Sequence, residues 1–98
     1  MRNGMRPVHP GEILREDYLA SLGLSVNAVA IALRIPATRV HEIVKERRAV
    51  TPDTALRLGR YFGTDAQSWL NLQSSYDLKV AAREIGDKIK REVPPRTA

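Results

Sequence analysis

Residues 25–48 read SVNAVAIALRIPATRVHEIVKERR, and the fold turns on how this stretch divides. Ser25 is a good N-cap, and Val26, Val29, Ala30 and Leu33 then fall on one helical face. That helix must stop before Pro36, because the residue preceding a proline is pushed out of the α region. A second short helix over Ala37 to Lys45 places Val40, Ile43 and Val44 inward and leaves Thr38, Arg39, His41, Glu42 and Lys45 around the other side. Two short helices joined by a tight turn, the second apolar inside and polar outside, describe a helix-turn-helix. The major groove of B-DNA admits one helix, so the first of the pair braces and the second reads.

Outward from this pair the patterns stay helical. Upstream, a helix begins near Pro10 and runs through EILREDYLASL, with Leu14, Tyr18 and Leu22 as its expected stripe and Gly23 closing it. Downstream, Thr51 is a hydroxyl N-cap followed by Pro52 at N1 and Asp53 in the first turn, with Ala55, Leu58 and Phe62 facing inward and Gly63 at the end. A fifth helix starts either from a capping box of Thr64 and Gln67 or from Asp65, and buries Trp69, Leu72 and Tyr76. From Leu78 a sixth pattern carries Leu78, Ala82, Ile85 and Ile89 on one face, weakened by Gly86. No strand pattern appears, so the expected class is all-α: a bundle of about five helices with an additional C-terminal amphipathic helix. The expected division is a flexible leader over 1–9, a DNA-binding domain over 10–77, the amphipathic helix over 78–93 and a disordered tail over 94–98.

Composition narrows the function. The 98 residues, 43% of them hydrophobic, suffice for one small core. The longest apolar run, AVAIAL at 28–33, is far short of the roughly 18 residues of a membrane span, and no apolar segment follows the basic start as a secretory signal requires. Cysteine is absent, which removes disulfides and thiolate metal sites and fits the cytoplasm. His9 and His41, 32 residues apart and without a ligand cluster, make no zinc site, and no metal or other cofactor is expected. Catalysis has no constellation: there is no Cys nucleophile, no glycine-rich phosphate loop and no serine, histidine and carboxylate pattern, so an enzyme is not expected. Glu12, Glu16 and Asp17 read as a solvated helix face.

The net charge of +5 is unevenly spread. Residues 34–60 hold seven bases against three acids, and 78–98 hold six against three, whereas 61–77 hold two acids and no base. Such a field suits a polyanion, or is a merely soluble surface. Placed directly after a reading helix, Lys45, Arg47 and Arg48 are positioned to grip the phosphates that flank the groove, while the helix supplies the groups that meet base edges. Thr38 and Arg39, in the first turn, point most directly at those edges, and Ala37 can touch a thymine methyl. The five aromatics sit in apolar stripes, so Phe62, Trp69 and Tyr76 read as core and not as a stacking platform. The face of the final helix has three readings: it folds back, pairs with its twin, or receives another protein.

Three stretches in order, HPGEILREDYL at 9–19, the helix pair and its sequel at 25–63, and WLNLQSSYDL at 69–78, resemble the HigA-type antitoxins, within the phage-repressor-like (XRE/Cro) helix-turn-helix family. HPGEIL followed at this distance by RRAVTPDTALRL and then WLNLQ…YDL is the specific part. The resemblance implies a homodimer that binds double-stranded operator DNA, represses its own operon and neutralises a RelE-like (HigB-type) mRNA-cleaving toxin, as the antitoxin of a type II toxin-antitoxin system. By position it implies base reading by Ala37, Thr38, Arg39, His41 and Glu42, and phosphate contacts from Ser25, Asn27, Lys45, Arg47 and Arg48. Two positions depart from the family pattern. Arg34 and Glu46 stand where glycine is usual, and a left-handed backbone there costs each on the order of 1 kcal/mol. Glu46 is also expected either to weaken a phosphate grip or to pair with Arg47 or Arg48. Other readings are a stand-alone phage-type repressor and a module whose basic faces bind an acidic protein.

Overall fold

The computed structural model describes residues 6–97, all helical or irregular, with no strand among them. Helix α1, Pro10–Ile13, runs without a break into a π-helical segment, Leu14–Ala20; α2 spans Val26–Leu33, α3 Ala37–Val44, α4 Pro52–Phe62 and α5 Ala66–Glu92. The helix-turn-helix pair therefore lies where the capping residues placed it. Ser25 Oγ accepts from Ala28 N at 3.0 Å, and Thr51 Oγ1 accepts from Thr54 N at 3.4 Å, each satisfying an orphan first-turn donor.

One core joins these elements. Leu14, Val29, Val40, Ile43, Ala55 and Leu58 are all within 1% of complete burial. Phe62 and Trp69 stack near Tyr18, with ring centroids 4.7 and 5.4 Å away, so these aromatics are core, as expected.

Three differences from the sequence expectations have physical causes. The π segment makes i→i+5 bonds, so Leu19 and not Leu22 falls in register with Leu14; Leu19 is buried and Leu22 is 59% exposed. His9 does not belong to a loose leader: it is buried, its Nδ1 accepts from Gly11 N at 2.8 Å as the N-cap of α1, and its ring meets Tyr76 edge-on at 4.8 Å. Residues 6–8 of the expected leader are described too, with Arg6 paired to Glu12 at 2.8 Å, whereas residues 1–5 lie outside the described residues, as does Ala98. Of the two starts left open for α5, Asp65 is the one used, capping through Gln67 N at 3.2 Å, while Thr64 Oγ1 accepts from Trp69 Nε1 at 2.9 Å.

The third difference is the largest. The two stretches expected as separate helices are one, Ala66–Glu92, 27 residues long, since nothing between Tyr76 and Lys79 breaks the backbone pattern. At 1.5 Å per residue it extends about 40 Å, and it stretches the molecule to 53 × 24 × 22 Å. Its first half packs on α4, burying Trp69 and Gln73; the second half leaves Leu78 71%, Ile85 45% and Ile89 46% exposed. Beyond it, residues 94–97 are exposed and without regular structure.

Candidate nucleic-acid interface

Helix α3 is held in place from three sides. Val40, Ile43 and Val44 are buried against the body. Gly11 of α1 lies so close that a Cβ there would come within 1.8 Å of the Ile43 carbonyl oxygen, so only glycine lets the two backbones meet. Arg15 donates to the Val44 carbonyl and pairs with Glu46 at 3.4 Å, placing a cation on the negative end of α3. The loop after α3 is tied down by Gln73, whose Oε1 accepts from Val50 N at 2.8 Å while its Nε2 donates to Asp77 at 2.9 Å.

With its inner face fixed, α3 presents Thr38, His41 and Glu42 to solvent, with Ala37 and Arg39 half-buried beside them. Lys45 caps the helix, and Arg47 and Arg48 are exposed just after it. Ser25 and Asn27 sit exposed at the start of α2, where first-turn N–H groups and the positive end of the dipole favour an anion. All the residues singled out in the sequence for DNA contact are thus at least partly open to solvent, and they lie on the helix pair and its following loop.

The charges of this face are tied together more than the sequence suggested. Arg39 pairs with Asp53 at 3.4 Å, and Arg48 with Glu42 at 3.2 Å. Glu46, expected beside Arg47 or Arg48, turns instead to Arg15, because its left-handed backbone, φ 63°, directs the chain away. Arg57 escapes a reading of the sequence: its Nε donates to Asp53 at 3.0 Å and its Nη1 to the Leu33 carbonyl at 2.9 Å, bracing the end of α2. By sequence Asp53 is only a first-turn acid, and Arg34 only a glycine replacement; both line a cleft beside the start of α3. A four-residue spacing connects Asp53 to Arg57, but nothing local in the sequence connects either to Arg39.

Among the described residues no three His, Asp or Glu side chains converge on a metal position, and no helix is long and apolar enough to cross a membrane. Burial lowers the His9 pKa below its ordinary 6.5, against the nearby carboxylates of Glu46 and Asp77, which raise it.

A braced amphipathic helix with an open polar face, preceded by a capped helix and followed by a basic loop, defines a helix-turn-helix protein. No family model matches the chain. It is 59% identical over 83 residues to virulence-associated protein I of Dichelobacter nodosus, across 85% of this chain and 77% of that protein. The antitoxin HigA of Pseudomonas aeruginosa, solved with the higBA promoter, superposes with a TM-score of 0.92 at 48% identity, over 94% of this chain and 100% of the other. The antitoxin GraA in complex with its operator gives 0.91 at 44% identity, over 100% and 99%. The chain belongs to the HigA-type antitoxins, within the phage-repressor-like helix-turn-helix proteins, a family of DNA-binding antitoxins and transcriptional regulators and not of enzymes.

Proposed function

We propose that this chain is the antitoxin of a type II toxin-antitoxin system, a sequence-specific repressor of its own operon that also binds and neutralises a RelE-like mRNA-cleaving toxin in the cytoplasm. The observation that carries the DNA-binding half is the seating of α3: Val40, Ile43 and Val44 are buried while Thr38, His41 and Glu42 remain open beside three exposed cations. Relatives of the same fold solved on promoter and operator DNA support it. Residues 10–77 form the DNA-binding domain on this reading, with Ala37, Thr38, Arg39, His41 and Glu42 at base edges and Ser25, Asn27, Lys45, Arg47 and Arg48 on phosphates.

One recognition helix buries little surface, and a two-fold pair of them matches a palindromic operator. We assign the pairing to residues 78–93, where Leu78, Ala82, Ile85 and Ile89 repeat at four, three and four residues along an exposed seam, the spacing of a short coiled coil.

Two experiments test the reading. Arg47→Ala with Arg48→Ala should weaken binding to every duplex and flatten the dependence of log affinity on log salt, whereas Thr38→Ala should erode only the preference for the operator. Uniform loss from Thr38→Ala contradicts the assignment of α3 as reader. Binding to an acidic protein, without DNA affinity, would favour the interaction-module reading. For the toxin half, the small open reading frame beside the gene is expressed with and without this chain in trans. Growth restored by this chain supports the antitoxin; a harmless neighbour leaves the stand-alone repressor as the better account.

A further inference from the structure

We propose that the cleft between the start of α3 and the start of α4 is a seat for a backbone phosphate, and that the carboxylate of Asp53 occupies it as a resident counter-anion while DNA is absent. The proposal rests on the DNA-binding reading above and adds residues to it. The cleft has a volume of about 450 Å³ and is lined by Arg34, Arg39, Arg48 and Arg57, with Thr51 and Asp53 at its α4 edge. Four arginines line this depression beside one acid, and even with Glu42 paired to Arg48 at 3.2 Å the cations outnumber the carboxylates; guanidinium forks match phosphate oxygens as well as carboxylate oxygens.

Its geometry suits exchange. Asp53 accepts from Arg57 Nε at 3.0 Å and from Arg39 Nη1 at 3.4 Å, so one carboxylate holds both a proposed reading arginine and the arginine that braces α2. The Asp53 side chain is 56% exposed in both pairs, and ion pairs this open are weak, so an incoming anion displaces it readily. The seat also lies at the N-terminus of an 11-residue helix, where the capped first turn favours negative charge of either origin. Arg34 and Arg48 complete the rim: Arg48 is held only by an exposed contact to Glu42, and Arg34 lies on the turn between α2 and α3.

Two consequences follow for recognition. In the free protein Asp53 lowers the positive potential beside the reading helix and so suppresses attachment to arbitrary duplexes. On DNA a phosphate replaces it, and Arg39 is released toward the groove only when the helix is correctly docked. Asp53 is therefore a positioning residue that sets the ratio of specific to non-specific affinity.

The test uses the full chain, a labelled operator duplex and a scrambled duplex of equal length, titrated across a salt series for the wild type, Asp53→Asn and Arg57→Gln. Asp53→Asn is expected to bind the scrambled duplex several-fold more tightly, to steepen the slope of log affinity against log salt on that duplex by about 0.9, the increment of one further phosphate, and to narrow the operator preference. Arg57→Gln, which leaves the first turn of α4 untouched, should shift affinity and slope the other way. Slopes and scrambled-duplex affinity equal to wild type in both variants, with thermal unfolding confirming folded protein, overturn the proposal while leaving DNA binding intact. Failure of the wild type to bind either duplex overturns the DNA reading and the seat together. Inorganic phosphate at constant ionic strength separates the source of the anion: tighter phosphate binding by Asp53→Asn without any change on duplexes would make this a free-phosphate site and overturn its assignment to DNA.

Discussion

The two halves of α5 are built from the same backbone and behave differently. From Ala66 to Asp77 the helix is woven into the body: Trp69 is 2% exposed, Gln73 holds the loop after α3, and Tyr76 covers His9. From Leu78 onward Val80 and Ala81 are half-buried, but Leu78, Ile85 and Ile89 are exposed. Continuity of a helix therefore says nothing about what covers it. Folding accounts for the first half, and the second leaves an apolar seam open to a partner.

The sharpest way to break the buried side of this contrast is Gly11→Ala. A methyl group there would overlap the Ile43 carbonyl, so α1 and α3 must separate, and the expected cost is at least about 3 kcal/mol. Thermal unfolding should show a Tm lower by more than about 10 °C, with DNA affinity falling in parallel because α3 loses its brace. An unchanged Tm would mean that the two helices are not held in this register.

His9 should give the next largest effect, and one that depends on pH. Its Nδ1 accepts a backbone N–H, so the neutral ring is the form that fits, and burial lowers its pKa below 6.5. Between that ordinary value and the lower folded one, the unfolded chain binds a proton that the folded chain refuses. Stability should thus be independent of this group above about pH 6.5 and decline as the pH falls below it, by about 1.4 kcal/mol for every pH unit that separates the unfolded and folded pKa. Denaturant unfolding of the wild type and of His9→Asn, which keeps a capping acceptor but does not titrate, checks this: the difference between them should change only on the acid side.

Much of this architecture was legible in the sequence. Ser25, Pro36, Thr51 and Gly63 delimit three helices by chemistry that acts within one turn of the chain, and the structure places all three accordingly. The polar face of α3 could be read for the same reason, since burial of Val40, Ile43 and Val44 dictates what remains outside. What escaped was non-local or non-standard. The π segment exchanged Leu22 for Leu19, and no residue type announces an i→i+5 turn. The pairing of Arg39 with Asp53, and of Glu46 with Arg15, joins residues 14 and 31 positions apart. Such contacts follow from packing and not from spacing.

A smaller effect is expected at the two helix ends that flank α3. Four helix ends close in the same way, with a left-handed residue and a bond spanning five residues: Leu24 N to Leu19 O, Ile35 N to Ala30 O, Arg47 N to Glu42 O and Thr64 N to Gly59 O. Two of them use Gly23 and Gly63, while the two beside α3 use Arg34 at φ 60° and Glu46 at φ 63°. Arg34→Gly and Glu46→Gly should each raise stability by up to about 1 kcal/mol, because glycine adopts this backbone without the Cβ clash. Glu46→Gly also loses its exposed pair with Arg15, so its gain should be the smaller. Arg34→Gly removes a wall of the arginine cleft, so a more stable protein with weaker non-specific DNA binding is the expected combination.

The smallest effect on the fold is expected where the contrast began. Ile85→Ser with Ile89→Ser alters side chains already 45% and 46% exposed, so the unfolding free energy of the isolated chain should move by less than about 0.5 kcal/mol. Assembly should respond instead. If the seam of Leu78, Ala82, Ile85 and Ile89 pairs two copies, sedimentation equilibrium should show the wild type as a dimer and the double variant as a folded monomer. Operator affinity would then fall while contacts by one recognition helix persist. Retained dimerisation would move the interface off this seam and leave the second half of α5 free for the proposed toxin, and a loss of growth rescue against that toxin by the same variant would support that use.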